Sequence, residues 1–271
     1  MDFFVNEKDF TQLKKDKYTF AVLDRILRGN CEIVCSDHEN LILCHSAARY
    51  PVWIWTPDGC TESIKEHAWT LADECRPVSE GYHFNMKYEL AEYFIRKAAE
   101  KGQKLGVYMQ LFAYDCPDPI APEHAPDGRM YRCTEQDVGE AADLLPLFYN
   151  EIGERVPSRE ICLGKAMEYI GNNAFFIWKN AEGDNVACCS YKCNQGLASL
   201  GSVLTLPEYR RRHYAQQLVY EVTKLVHKMG YMPMLYTDAD CPASNACYEK
   251  IGYKLRGKLC TIALQDTETT E

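Results

Sequence analysis

The stretch Pro207–Leu218, "PEYRRRHYAQQL", sets three arginines and a histidine where a helix begins. The apolar run "VLTL" before it reads as a strand closed by Pro207, and "YAQQLVYEVTKLVHKMG" after it reads as an amphipathic helix. Ala215, Leu218, Val219, Val222, Leu225, Val226 and Met229 fall on one face at helical spacing, and Gly230 supplies the stop. A helix N-terminus already carries about half a positive charge, from unpaired N–H groups and aligned peptide dipoles. Arg210, Arg211 and Arg212 are unfavourable there unless something negative joins them. The chain is otherwise acidic, with 39 Asp and Glu against 30 Lys and Arg, a net charge of -9. A strand, a tight loop and a helix start aim backbone N–H groups at one point, which is the general design of a phosphate site. Arginines add charge-assisted donors suited to a pyrophosphate or a 3′-phosphate. The plain alternative is a solvated basic turn.

Working outward, the pattern on both sides is one of strands and helices of ordinary length. "RMYRC" reads as a short strand, and the helix pattern "TEQDVGEAADLLPLFYNEIG" opens on a capping Thr134 with acids in its first turn. "REICLGKAMEYIG" is a second helix; "NAFFIWKN", "NVACCSYKC" and "LASLGSVLTL" are strands. "MPMLYTDA" is another strand, "PASNACYEKIG" a short helix with Pro242 near its start and Gly252 past its end, and "YKLRGKLCTIAL" the last strand or strands. This order gives an α+β class.

Taken together, "VLTLPEYRRRHYAQQLV" and "PASNACYEKIGYK" resemble the two signatures of the GCN5-related N-acetyltransferase (GNAT) superfamily. The first is similar to the family's Arg/Gln-x-x-Gly-x-Gly/Ala loop, here Arg210, Arg211, Arg212, His213, Tyr214 and Ala215. The second is similar to Asn-Pro-x-Ser-x-x-x-Tyr-x-x-x-Gly-Phe/Tyr, matched at Pro242, Ser244, Tyr248, Gly252 and Tyr253. The resemblance covers roughly residues 129–264. It implies a GNAT-type mixed, mostly antiparallel sheet flanked by helices, and direct transfer of an acetyl group from acetyl-CoA to an amine. Residues 210–215 and Ser244 would hold the CoA, and backbone N–H groups near Val203, Leu204 and Thr205 would polarise the thioester carbonyl. Tyr248 would give the leaving thiolate its proton.

Two positions depart from the pattern. His213 stands at the family's first loop glycine, so its side chain must point away or take part. Cys241 replaces the frequent Asn before the proline, and Cys is a poor helix cap. No acid lies on "LASLGSVLTL", where the family's base would fall near Ser199. Glu151, Glu154 and Glu160 are acids on other segments, or a water chain serves; none is singled out. His227 lies on the outer face of its helix and receives no role. A second functional class, an acyl-CoA-binding regulatory protein without turnover, stays open.

Upstream, "DCPDPIAPEHAPDG" is the best linker, so the sequence divides into an N-terminal α/β domain (1–115), a proline-rich linker (116–128), a catalytic domain (129–265) and a disordered tail (266–271). "LAEYFIRKAAEKGQKLGVYMQLFAYDCP" echoes "LVYEVTKLVHKMGYMPMLYTDADCP": helix, glycine, strand, then Asp-Cys-Pro. The N-terminal domain is either a degenerate GNAT-like copy without a CoA loop or an unrelated helix–strand unit. It would shape the acceptor cleft or the interface of a homodimer.

Composition narrows the partners. At 46% apolar residues the chain can build cores. No run reaches the roughly 18–20 apolar residues of a membrane span. "MDFFVNEKDFTQLKKDKYTF" is charged throughout, unlike a signal peptide, so a cytoplasmic setting is expected. The acidic balance disfavours nucleic acid and suits amines. The fourteen cysteines are then thiols in a reducing compartment. Cys31, Cys35, His38 and Cys44 are close enough to suggest zinc, but Cys31 and Cys35 sit at strand spacing and no metal is expected.

Overall fold

Polar caps and apolar periods place the elements along the chain. The computed structural model describes residues 1–265; the tail 266–271, expected to be disordered, lies outside the described residues. In chain order the first half forms α1 (Glu7–Leu13), α2 (Ala21–Leu27), β1 (Ile33–Ser36), β2 (Ile42–His45), β3 (Val52–Trp55), α3 (Glu62–Cys75), β4 (Phe84–Met86), α4 (Tyr88–Glu100) and β5 (Leu105–Asp115). The second half forms β6 (Arg129–Arg132), α5 (Val138–Glu151), α6 (Arg159–Gly171), β7 (Phe175–Lys179), β8 (Asn185–Asn194), β9 (Leu197–Thr205), α7 (Tyr214–Lys228), β10 (Met232–Asp238), α8 (Pro242–Ile251) and β11 (Lys254–Leu264). Thr61 and Ser158 cap α3 and α6 through their hydroxyls. Thr134 also caps, through a box with Asp137, but a 3-10 turn over Glu135–Asp137 precedes α5. The class is the expected α+β, and strand pairing is mostly antiparallel.

The chain splits into two compact units that interleave in sequence. The first takes Met1–Ala113, Thr237–Cys241 and residues 256–265; the second takes Tyr114–Tyr236 and Pro242–Leu255. In the first unit the strand order is β1-β2-β3-β4-β11-β5, so the last strand sits between β4 and β5. β2 and β3 are buried along their whole length, as the runs "ILCH" and "VWIW" require. Trp69 of α3 meets Phe94 of α4 edge-on, with ring centroids 5.2 Å apart, and Phe84 lies beneath. Each such fully buried side chain stabilises by about 1.5–3 kcal/mol.

In the second unit the order is β10-β9-β8-β7-β6. β6 to β9 are antiparallel neighbours, and β9 and β10 are parallel. Leu144 and Leu145 of α5, with Cys162 and Ala166 of α6, close over Phe175, Ile177, Cys188 and Leu204. α7 packs against β7, β8 and β9 through the fully buried Leu218, Val219, Val222 and Val226. Met229, placed on that face by spacing, is instead 50% exposed, because the helix has already reached its C-cap there.

Residues 116–128 lie on the second unit with their own contacts. The Cys116 N–H donates to Pro233 O at 2.9 Å and the Ile120 N–H to Ile251 O at 2.7 Å. Gly252 shows why its position admits no side chain. Its φ is +102°, and a Cβ would lie 2.5 Å from Asp118 O.

Candidate functional site

The site is built where β9 leaves its neighbours. Gly201 pairs with Ser190 and Leu204 with Cys188, so Ser202 and Val203 oppose the single Cys189. This is a β-bulge, and Ser202 sits at φ +50° within it. On the other edge, β10 is in register only with Leu197–Leu200. From Gly201 onward no strand among the described residues pairs with that edge. Leu206 N–H donates to Val186 O, so strand alternation turns the Leu204 backbone toward β8 as well. Val203 and Thr205 then point their N–H groups the other way, at the open edge. Leu204 is 4% exposed, its side chain in the core under α5.

After β9 the chain makes one 3-10 turn, Pro207–Tyr209, and enters α7 through an unusual loop. Arg211 has φ +63° and His213 φ +64°. Both are left-handed conformations that cost a non-glycine residue about 1–2 kcal/mol. His213 thus adopts the backbone that a glycine would supply, and its ring lies to one side: Nδ1 is 3.0 Å from Gln216 Oε1, and the ring centroid is 6.1 Å from that of His124. It makes no side-chain cap. The first α7 bond is Gln217 N–H to His213 O, 3.0 Å. Tyr214, Ala215 and Gln216 therefore present N–H groups with no acceptor among the described residues. α7 has no acid in its first turn, whereas α1 to α6 each have at least one.

The three arginines have different surroundings. Arg210 is tied down: Nε donates to Thr205 O at 3.3 Å and Nη2 to Glu151 at 2.7 Å. Arg212 lies over the Tyr209 ring, 5.7 Å from its centroid. Tyr209 is itself braced, its hydroxyl donating to Asp184 at 3.1 Å. Among the described residues neither Arg211 nor Arg212 forms an ion pair. Both are exposed.

Tyr248 lies in α8, 8% exposed, with its ring 5.9 Å edge-on from that of Tyr253. The Tyr253 hydroxyl is 2.7 Å from Thr223 of α7, so one aromatic step links Tyr248 to the helix that carries the loop. Burial pushes the Tyr253 phenol well above its ordinary range. Ser244 is half-buried in the first turn of α8, and Cys241 is exposed just before it. Ser199 is opposite Met234 on the sheet, Glu154 and Glu160 are exposed, and Glu151 is engaged by Arg210. His227 is exposed in the last turn of α7.

A residue that sequence reasoning passed over is Asp127. It accepts the Tyr214 hydroxyl at 2.6 Å. Its one sequence signal is a tyrosine at a buried helix start, a hydroxyl in need of a partner.

Nine of the fourteen cysteines are buried. None of the fourteen is in a disulfide, and burial pushes Cys35, Cys133 and Cys188 up to about 12, which keeps these thiols protonated. Of the four residues at zinc-like spacing, His38 is held by carboxylates, with Nδ1 2.7 Å from Asp9 and Nε2 2.9 Å from Asp2. Among the described residues no three His, Cys, Asp or Glu gather as metal ligands would. No described helix is long and apolar enough to cross a membrane.

Comparisons with known proteins bear on this geometry. Residues 181–262 match the family model "FR47-like protein", a span that includes both Pro207–Leu218 and Pro242–Tyr253. No curated protein matches the chain. Among solved structures, a GCN5-related N-acetyltransferase from Kribbella flavida aligns with a TM-score of 0.65 at 10% identity, covering 94% of this chain and 96% of that one. One from Sphaerobacter thermophilus aligns at 0.64 and 14% identity, over 88% and 84%. A GNAT-family acetyltransferase from Colwellia psychrerythraea aligns at 0.57 and 12% identity, over 97% and 99%. At such identities the likeness is one of fold. The chain has the fold of these GNAT structures, and residues 181–262 match the FR47-like model.

Proposed function

We propose that the chain is an N-acyltransferase that moves an acetyl group from acetyl-CoA directly to a primary amine, with residues 129–265 carrying the catalytic machinery. One observation carries the reading. Among the described residues, the first turn of α7 offers three N–H groups without acceptors, beside two arginines without ion pairs. That arrangement fits a pyrophosphate, whose charge would meet both the helix dipole and the guanidinium groups. Arg211, Arg212 and the backbone of His213, Tyr214, Ala215 and Gln216 would hold the phosphates. Arg210 would shape the loop from beneath, and Ser244 would face the CoA arm.

Bound acetyl-CoA supplies a thioester, whose acyl carbon is open to attack by nitrogen. Val203 and Thr205 would direct a backbone N–H at its carbonyl oxygen, a donor that gains strength as negative charge develops there. The amine nitrogen forms the new C–N bond as the C–S bond breaks. Tyr248 would place its hydroxyl hydrogen on the departing sulfur, and the amine's excess proton, carried by water or a nearby carboxylate, would restore the Tyr248 hydroxyl. The acceptor is a small molecule or peptide bearing a free amine. The first unit would shape its binding or form a homodimer surface, and a cytoplasmic setting suits the free thiols.

The test is release of free thiol from acetyl-CoA across a panel of primary amines. Amine-dependent release supports transfer. Clear CoA binding with no release for any amine replaces it with a binding role.

A further inference from the structure

Tyr214 opens α7 and is 3% exposed, and a buried hydroxyl needs a partner. It finds one far along the chain, donating to Asp127 Oδ1 at 2.6 Å. Asp127 is anchored independently of α7. Its Oδ2 accepts the Ala181 N–H at 2.7 Å, and its backbone oxygen accepts the Trp178 indole N–H at 2.8 Å. The next residue, Gly128, holds φ +87° with its Cβ position only 2.0 Å from Lys179 O, so the backbone there is pressed onto the β7–β8 hairpin. The Tyr214 hydroxyl, then the Ala181 N–H, hold the Asp127 carboxyl below its ordinary range, and the same bond raises the Tyr214 phenol. An ionised acceptor makes this bond roughly twice as strong as a neutral one. Two of the three residues before Tyr214, Arg211 and His213, are strained, so the helix start has little of its own to fix it.

We propose that Asp127 is a positioning residue for the acyl-CoA site: by holding the Tyr214 hydroxyl against the β7–β8 hairpin, it fixes the N–H groups of Tyr214, Ala215 and Gln216 where a phosphate binds. The inference rests on the acyl-CoA reading above. Arg212, whose charge acts on Asp127, offsets the carboxylate near an anion site.

The experiment measures CoA binding by calorimetry, and KM and kcat for acetyl-CoA, on the full chain. The proteins are wild type, Asp127→Ala, Asp127→Asn, Tyr214→Phe and Asp127→Ala/Tyr214→Phe, with thermal melts to confirm folding. Asp127→Ala and Tyr214→Phe each weaken CoA binding roughly five- to twentyfold. The double variant is no more than about twofold worse than the weaker single, because one bond is lost in both. KM rises while kcat stays within about twofold. Asp127→Asn, which keeps an oxygen for Tyr214, recovers most of the affinity. Tyr214→Phe binding CoA as the wild type does overturns the proposal, even if Asp127→Ala fails to fold. Tighter binding by Asp127→Ala overturns it too, since the carboxylate would then only repel. A wild type that binds no CoA overturns this proposal together with the acyl-CoA reading.

Discussion

α4–Gly102–β5 and α7–Gly230–β10 run alike through their middles and differ at their entrances. In both a helix ends at a left-handed glycine, φ +73° at Gly102 and +87° at Gly230, and a strand follows. Before α4 there is a single residue, Lys87, in extended backbone. Its ammonium lies 2.7 Å from Asp16 and 2.6 Å from Asp58, and Glu89 stands in the first turn. The positive end of α4 thus already has its carboxylates. Before α7 the chain spends eight residues, Leu206–His213, whose one acid, Glu208, lies in the 3-10 turn six residues ahead of the helix, and the first turn of α7 brings none. The strand edges differ in the same sense. β4 has β3 on one side and β11 on the other, while β9 keeps β10 only as far as Leu200. A helix–strand segment becomes a candidate anion site when the acid at the helix start and the neighbour at the strand end are both missing.

That contrast can be broken most sharply at the loop. Arg211→Glu with Arg212→Glu should lower CoA affinity by about a hundredfold or more, two charge-assisted contacts being lost and two repulsions added. Lys87→Ala should leave it within about twofold. Equilibrium dialysis against CoA, with circular dichroism to confirm folding, decides both; unchanged affinity in the first, or a large loss in the second, ends the comparison. Tyr248→Phe should lower kcat roughly ten- to a hundredfold with little change in acetyl-CoA KM. Equal turnover would remove Tyr248 from the reaction. Gly252→Ala should destabilise by about 2 kcal/mol, seen as a lower urea midpoint, because the new methyl group meets Asp118 O at a backbone angle it resists. His213→Gly should gain roughly 0.5 kcal/mol, relief of the left-handed cost exceeding the added chain entropy. A lower midpoint would mean that the imidazole holds the loop.

The smallest effect expected is in the first unit. The bond to Asp9, then that to Asp2, raises the His38 pKa. The stabilisation is complete below about 6.5, the ordinary value of an unfolded histidine, and is lost as pH rises from there through the raised folded-state value. The difference in melting temperature between wild type and His38→Gln should therefore shrink from pH 6 toward pH 9. A difference that does not change with pH would rule this out.

Much of the second unit was legible because its signals are local. The α7 face, the αL stop at Gly230 and the Pro207 break each rest on a few adjacent residues. The left-handed backbone at Arg211 and His213 was not legible, since glycine is the usual marker and neither position has one. Asp127 was hidden by distance, 87 residues from its partner Tyr214, in a stretch that reads as linker. β11 pairing with β4 escaped for the same reason: nothing in "LCTIAL" says that Thr261 lies opposite Asn85.

The position of β11 also bears on how the chain is made. The ribosome delivers β4 and β5 early and the strand that sits between them only after the whole second unit has been built. Until then both strands expose unpaired edges, the kind of surface on which foreign strands template. Such an interleaved chain cannot mature in the simple N-to-C order open to tandem domains. Its first unit stays unfinished until β11 has been made.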